Sequence, residues 1–362
     1  MKRDELFSLK SDKPDMEIKR ASKDKWDTIA KPIDGLGELE ELISRIASIQ
    51  GRVVPETGKK ALIIMCADNG VVKEGVSQTD SKVTFDVAAL MGKRKSSVGI
   101  MTATGLTDIL VYDIGIDSEV TPAGVIDRRI RRGTGDFLKG PAMEESECLK
   151  AIETGIAAVK ECKEKGYGII ATGEMGIGNT TTAAAVLCGI EGLDPAEYTG
   201  RGSGLTDSGY SRKIQVIDEG LRLHRKEGYK KAAISKEEIL EIICSLGGLD
   251  IAGLCGVFMG SALYGIPAVI DGFISATAAL AAAKLMPDCR EYMLASHLGR
   301  EKGMSFILKY LDLKPVIHAD LALGEGSGAV MLFPLLDMAM SLYTGGTVFE
   351  ETDIEQYERY DR

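Results

Sequence analysis

YGIIATGEMGIGNTTTAAA, residues 167–185, changes character twice within one short stretch. YGIIATG (167–173) is a brief apolar run containing β-branched residues, which reads as a buried strand. GEMGIGN follows, and its glycines permit a tight turn. TTTAAA then opens an Ala-rich segment suited to a helix. Strand, glycine loop and helix in succession make half of a βαβ unit. Similar runs recur on both sides: ALIIMCA (61–67), DILVYDIG (108–115), PAVIDG (267–272) and VIHADLAL (316–323), with helical segments between them. Strands alternating with helices imply right-handed crossovers and an α/β fold with a mostly parallel sheet flanked by helices.

Further out, residues 16–51 read as amphipathic helix interrupted by KPIDGLG (31–37), where Gly35 and Gly37 suit a turn. Residues 227–240 are polar and read as a surface connection. Residues 252–286 are apolar over more than a membrane span, but Gly265, Pro267, Asp271 and Gly272 divide them into helix, short strand and helix, each below the roughly 20 apolar residues a bilayer needs.

The formal charge of −10 argues against general nucleic-acid binding, which needs a basic face. It leaves room for a small anion held by backbone amides and one lysine. Seven cysteines, widely spaced and without a CxxC pair, fit reduced thiols in the cytoplasm better than a disulfide framework or a zinc site. With only three histidines, no metal site is expected. The opening MKRDELFSLKSDKPDME is charged throughout and is not expected to be a signal peptide.

In open α/β sheets, ligands bind beyond the carboxyl ends of the strands. The expected strands end in ADNG (67–70), DIGID (113–117), GEMGIGNTTT (173–182), DGF (271–273) and LGEGSG (323–328), which carry Asp68, Asp113, Glu174, Asp271 and Glu325, most with glycine neighbours. Acids and glycines populate loops in any protein, but five together point to a site. GEMGIGNTTT offers exposed amides from Gly176 to Asn179 and hydroxyls at a helix start, an anion cradle that is neither a Walker loop nor GxGxxG. TGRGSGLTDSGYSRK (199–213) offers a second, with amides around Gly202–Gly204 and the cations Arg201 and Lys213. LGEGSGA (323–329) sets Glu325 between two glycines, with Ser327 as a candidate helix cap. A carboxylate partly desolvated there would bind a proton more tightly and act as a base near neutral pH.

ADNGVVKEGVS (67–77), GEMGIGNTTTAAA (173–185), GGLDIAGLCGVFMGSALYGIPAVIDGFIS (247–275), SHLGREKG (296–303) and LGEGSGA (323–329) resemble, in order and spacing, the nicotinate-nucleotide:dimethylbenzimidazole phosphoribosyltransferase (CobT) family. KPIDGLGELE (31–40) resembles its N-terminal KPxGSLGxLE segment, and the resemblance runs from about residue 25 to 345. It implies transfer of the 5-phosphoribosyl group of nicotinate mononucleotide to 5,6-dimethylbenzimidazole, giving α-ribazole 5′-phosphate and nicotinate, without metal or cofactor. It implies a Rossmann-like large domain (56–345), a small helical domain from the termini (1–55 with 346–362), and a homodimer.

Residue by residue, the resemblance makes Glu325 the catalytic base. Gly176, Asn179, Thr180, Gly202 and Lys213 match the phosphate-binding region. Glu174, Asp271 and Ser296 match polar positions of the same cleft, and Thr79, Met175 and Leu323 match positions near the aromatic base. Two positions depart from the family pattern. Asn69 stands where many members have histidine, and Val87 where well-known members have glutamine, which makes the wall beside the base more apolar. The open alternatives are another acceptor such as a phenolic or adenine, a nucleotide hydrolase or phosphorylase, and a silent nucleotide-binding relative.

Overall fold

A computed structural model describes residues 1–103, 105, 107–225, 230–233 and 235–359. Three helices precede the sheet: α1 (Arg3–Ser8), α2 (Met16–Thr28) and α3 (Glu38–Gln50). Asp15 starts α2 by accepting the N–H groups of Glu17 and Ile18, and Gly51 ends α3 in the left-handed conformation. Then come β1 (Lys60–Ala67), α4 (Lys82–Gly92), α5 (Ser97–Met101), β2 (Thr107–Gly115), β3 (Ile126–Asp127), α6 (Glu145–Glu164) and β4 (Ile169–Met175). The second half holds α7 (Asn179–Glu191), α8 (Pro195–Tyr198), α9 (Asp207–His224), α10 (Lys236–Leu246), α11 (Leu249–Tyr264), β5 (Ala268–Ile270), α12 (Phe273–Leu285), β6 (Met293–Ala295), α13 (Lys302–Tyr310) and α14 (Ser327–Gly345).

The strands pair in the order β3-β2-β1-β4-β5-β6, all parallel. β1 is buried along its whole length. Its side chains alternate between two cores: Ala61, Ile63, Met65 and Ala67 face one layer of helices, Leu62, Ile64 and Cys66 the other. The first layer contains α6, α7 and α9 to α12; the second contains α2 to α5 and α14. In the first layer α6 and α11 approach closely because Gly155 and Gly256 have no Cβ, which would lie 2.0 Å from a carbonyl oxygen of the other helix.

The chain winds from β1 outward through β2 and β3, then returns to the other side of β1 and winds through β4, β5 and β6. The reversal between β1 and β4 leaves a crevice at their carboxyl ends, where a doubly wound sheet binds its ligand. The strands expected at 61–67, 108–115, 167–173 and 267–272 are present, and the apolar stretch 252–286 is helix, strand and helix as expected. VIHADLAL (316–323) is not a strand. Ile317 makes one parallel bridge to His297, and residues 318–320 and 322–323 are exposed, so no buried face sustains a ladder. β3 and β6 escaped the sequence reading, being two and three residues long. The polar connection expected at 227–240 falls partly outside the described residues (227–229 and 234), and from Lys236 it is helix with Ile239 and Leu240 buried.

α2 and the C-terminal segment meet on the second layer, whereas α1 lies against the first, with Leu6 buried there and the Met1 ammonium 2.9 Å from Glu153. Ile29 bridges Val348, Trp26 packs on Tyr343 with ring centroids 4.7 Å apart, and Arg359 pairs with Asp27 and Asp34 at 2.8 Å. Among the described helices, α14 is long and apolar enough to cross a membrane by length and composition, and half of it is buried inside the fold.

Candidate active site

The site grows from the end of β4. Glu174 and Met175 are its last residues, and Gly176, Ile177 and Gly178 turn the chain into α7. At Gly176 a Cβ would lie 2.3 Å from the carbonyl oxygen of Ala67, so only glycine lets the turn lie against β1. Thr84 Oγ1 accepts the Ile177 N–H at 3.1 Å, and the Asn69 amide donates to the Ile177 carbonyl at 3.4 Å. Asn69 therefore holds the turn in place. The turn forms one wall of a cleft of about 260 Å³, a size for a small ligand and not for a macromolecule.

One end of the cleft is basic. Lys213, from α9, is completely buried, and its Nζ donates to Thr180 Oγ1 at 2.8 Å and to the Gly200 carbonyl at 3.1 Å. Gly202, in a left-handed conformation, leaves open the space beside them: a Cβ there would stand 3.5 Å from Nζ. Among the described residues no carboxylate oxygen lies within 4 Å of this ammonium. Burial pushes its pKa down to about 8, against the attraction of Glu301. Gly176, Asn179, Thr180 and Gly202 all line the cleft here. Lys213 stands just behind the lining. Arg201, the other cation expected, is tied to Asp207 and to the Leu205 carbonyl.

The other end is acidic. Glu174 is buried, and burial with its acidic neighbours pushes its carboxyl up to about 8, against the hydrogen bond from Asn179. Asn179 also donates to Asp250 Oδ2 at 3.2 Å, and burial raises Asp250 to about 7. Asp271 accepts the Gly326 N–H at 3.1 Å and the Ala329 N–H at 3.0 Å. It thus caps α14, the role the sequence suggested for Ser327, which instead is the first helical residue. Burial raises Asp271 above the ordinary carboxylate value and lowers His297, each opposing the other's shift.

Glu325 stands between Gly324 and Gly326, all three with positive φ (84°, 61° and 86° in chain order). A non-glycine residue there is strained, and Asp271 holds it by pinning the following N–H groups. Glu325 Oε2 accepts the Val98 N–H at 3.1 Å, and the side chain is half-buried. The sequence suggested desolvation at Glu325; the buried carboxylates of the cleft lining are Glu174 and Asp271. Between the two ends the wall is apolar, with Val87, Met175 and Leu323 lining it.

Ten of the thirteen residues singled out from sequence line this one cleft, and Lys213 supports it from behind. Ser296 is buried beneath it, donating to the Ile270 carbonyl at 2.6 Å and lying 2.9 Å from His297 Nδ1; His297, itself buried, is the one of the two that lines the cleft. Thr79 is exposed and outside the lining, two residues past Ser77, which does line it. Of the five acids expected to form a ring, Asp68 and Asp113 are elsewhere. Asp113 is bound to Arg129 at 2.7 Å, and Asp68 accepts the Asp117 N–H at 2.8 Å. Asp250 and His297 went unnoticed, since Asp250 sits inside an apolar helix start and reaches the site only through Asn179.

An anion cradle with a buried cation, an apolar wall and a half-buried carboxylate in one cleft suits a phosphorylated substrate that reacts beside a base. Known proteins support that class. Residues 11–354 match the model of a family described as phosphoribosyltransferase. The chain is 42% identical over 342 residues, 94% of its length and 95% of the relative's, to the nicotinate-nucleotide–dimethylbenzimidazole phosphoribosyltransferase of Ruminiclostridium cellulolyticum. It is 43% identical over 331 residues, 91% and 92% of the two chains, to the protein of that name in Clostridium acetobutylicum. The crystal structure of CobT from Thermus thermophilus superposes with a TM-score of 0.86 at 34% identity, covering 94% of this chain and 100% of that one. The shared fold, the end-to-end match and the cleft together make this chain a member of the phosphoribosyltransferase family.

Proposed function

We propose that the chain transfers the 5-phosphoribosyl group of nicotinate mononucleotide to 5,6-dimethylbenzimidazole or a related base, giving an α-linked nucleotide and nicotinate for the lower ligand of cobamides. The observation that carries this reading is Lys213, a buried ammonium without a carboxylate partner, at one end of the cleft that holds Glu325 at the other. A buried charge wants a counterion, and a phosphate against Lys213, Thr180 and Gly202 supplies one. The ribose then lies towards Glu174 and Asp271, and the base between Val87, Met175 and Leu323. The relatives' names give the two substrates.

In the reaction a ring nitrogen of the base attacks C1′. The bond from C1′ to the pyridinium nitrogen breaks, its electron pair neutralising that ring. The N–H proton of the attacking base, made acidic by the new bond, passes to Glu325. Attack opposite the leaving group turns a β-nucleotide into an α-nucleotide. The positive charge that grows on the ribose lies among carboxyl groups, which stabilise it. Asn69 takes no proton in this scheme; it holds the Ile177 turn.

The apolar wall disfavours water as the acceptor and favours an aromatic one read by shape. Val87 favours apolar bases, phenolics included, over one recognised by hydrogen bonds. We further propose a cytoplasmic homodimer with the termini forming a small helical domain on the catalytic body. Seven buried free cysteines support the compartment. Support for the dimer comes from exposed Met331 and Met338 on α14 and exposed Ile100 and Met101 on α5, two helices that touch. The test is turnover of nicotinate mononucleotide with a panel of acceptors: dimethylbenzimidazole, plain and hydroxylated benzimidazoles, adenine, phenol and p-cresol. A base-linked nucleotide from an aromatic acceptor supports the reading. Nucleotide binding without any product would make this chain a silent relative.

A further inference from the structure

Four carboxyl groups gather at the acidic end of the cleft, and two are committed. Asp271 accepts the Gly326 and Ala329 N–H groups, and Glu325 Oε2 accepts that of Val98. The other two, Glu174 and Asp250, meet at a single nitrogen. Asn179 Nδ2 donates to Glu174 Oε2 and, at 3.2 Å, to Asp250 Oδ2. Asp250 Oδ1 accepts the Ile251 N–H at 3.0 Å. Glu174 Oε1 lies at the cleft beside Gly324, where a Cβ would come within 2.9 Å of it.

Both side chains are buried, Asp250 completely. Among the described residues, no lysine, arginine or histidine nitrogen lies within 4 Å of either carboxyl group. The titratable groups that face the pair are Cys66 from β1, Asp271 after β5 and Glu325 before α14, with His297 after β6 beyond Asp271. None of them supplies a nearby cation. Two bare carboxylates on either side of one amide in a dry site repel too strongly to coexist, and one of them keeps a proton. Burial pushes both groups up, Glu174 to about 8 and Asp250 to about 7, in keeping with the geometry.

We infer that Glu174 and Asp250, which flank the Asn179 amide, hold one proton between them in the ligand-free protein, and that this proton is released to solvent when a nucleotide joined to its base through a cationic pyridinium nitrogen fills the cleft. The inference rests on the proposed function for the identity of that nucleotide. The balance is simple. The pair loses a proton and gains one negative charge, which the positive pyridinium nitrogen bonded to C1′ offsets. The charge then stands ready beside C1′ when the ribose becomes cationic. Glu174 would touch the substrate side of the cleft. Asp250, outside the cleft lining, acts through Asn179 as a positioning residue.

Isothermal titration of the full chain in two buffers of different ionisation enthalpy, at pH 7.5, reads the protons exchanged on binding. Nicotinate mononucleotide should release more protons than ribose 5-phosphate by roughly half a proton or more, the share of the pair still protonated at that pH. Ribose 5-phosphate carries the anion without the cationic ring, so it corrects for proton uptake at Lys213. The difference should vanish in Glu174→Gln and shrink in Asp250→Asn. Equal exchange with both ligands, or an undiminished difference in Glu174→Gln, overturns the inference and leaves nucleotide binding intact. Failure to bind the nucleotide at all would instead count against the proposed function. The shared proton is then read on the ligand-free wild-type protein, by the infrared C=O stretch of a buried protonated carboxyl. That band should titrate away above neutral pH; its absence at pH 7 overturns the inference independently.

Discussion

Lys213→Met separates function from folding at one residue. The buried ammonium has its pKa lowered from 10.5 to about 8 by burial, a shift of roughly 2.5 units or about 3 kcal/mol. Because the folded value is the lower one, this penalty is present in full below about pH 8 and fades as pH rises towards the unfolded value. Methionine keeps the unbranched stem and removes the charge, but leaves Thr180 Oγ1 and the Gly200 carbonyl without their donor, at about 1 kcal/mol each. The two effects nearly offset. Ligand-free Lys213→Met should be as stable as wild type at pH 7, or more stable by about 1 kcal/mol. That margin should fall by about 2 kcal/mol by pH 9.5, where the wild-type lysine is largely neutral in the fold. Binding should move the other way. A buried charge contact to phosphate removed from one side costs about 2–5 kcal/mol, so affinity for ribose 5-phosphate should fall by about 30-fold or more. Urea unfolding at the two pH values and calorimetric titration at pH 7 measure both. A variant markedly less stable at pH 7 that still binds ribose 5-phosphate normally would show that Lys213 is a strut between Thr180 and Gly200, and would refute the reasoning.

Two further substitutions probe the opposite end of the cleft. Glu325→Gln keeps shape and removes the base, so turnover should fall by about 100-fold or more with nucleotide affinity nearly unchanged; unaltered turnover, followed by chromatography of nicotinate release, would dismiss Glu325 as the base. Gly326→Ala puts a Cβ 2.4 Å from Leu62 Cδ1 at a φ of +86°, so thermal unfolding should show a loss of roughly 2 kcal/mol or more, and turnover should drop with it because Glu325 is displaced.

Much of the site was legible because its residues crowd into short glycine-rich loops directly after strands. Glu174 stands at the end of one strand and Gly176, Asn179 and Thr180 follow it directly, and Glu325 lies between two glycines in a loop whose backbone runs at positive φ. What stayed hidden depends on distance in space. Asp271 lines the cleft but spends its oxygens on the Gly326 and Ala329 N–H groups, a role that only the meeting of β5 with the start of α14 creates. Asp68 and Asp113 share the same strand-end pattern as Glu174, yet Arg129 and the Asp117 N–H draw them into loop bracing on the far side of β1. Asp250 belongs to an otherwise apolar helix and acquires its meaning through Asn179. Short strands hide for a related reason: β3 and β6 are too brief to show a period and exist because neighbouring strands offer them a partner.

The central claim is transfer from C1′ of a nucleotide to an aromatic nitrogen with inversion, and the anomeric configuration of the product tests it most directly. Purified protein would be incubated with nicotinate mononucleotide and dimethylbenzimidazole, and the anomeric proton of the product followed by NMR. The account predicts an α-linked ribazole phosphate appearing in step with free nicotinate. A β-linked product, or ribose 5-phosphate released with the base untouched, would contradict it.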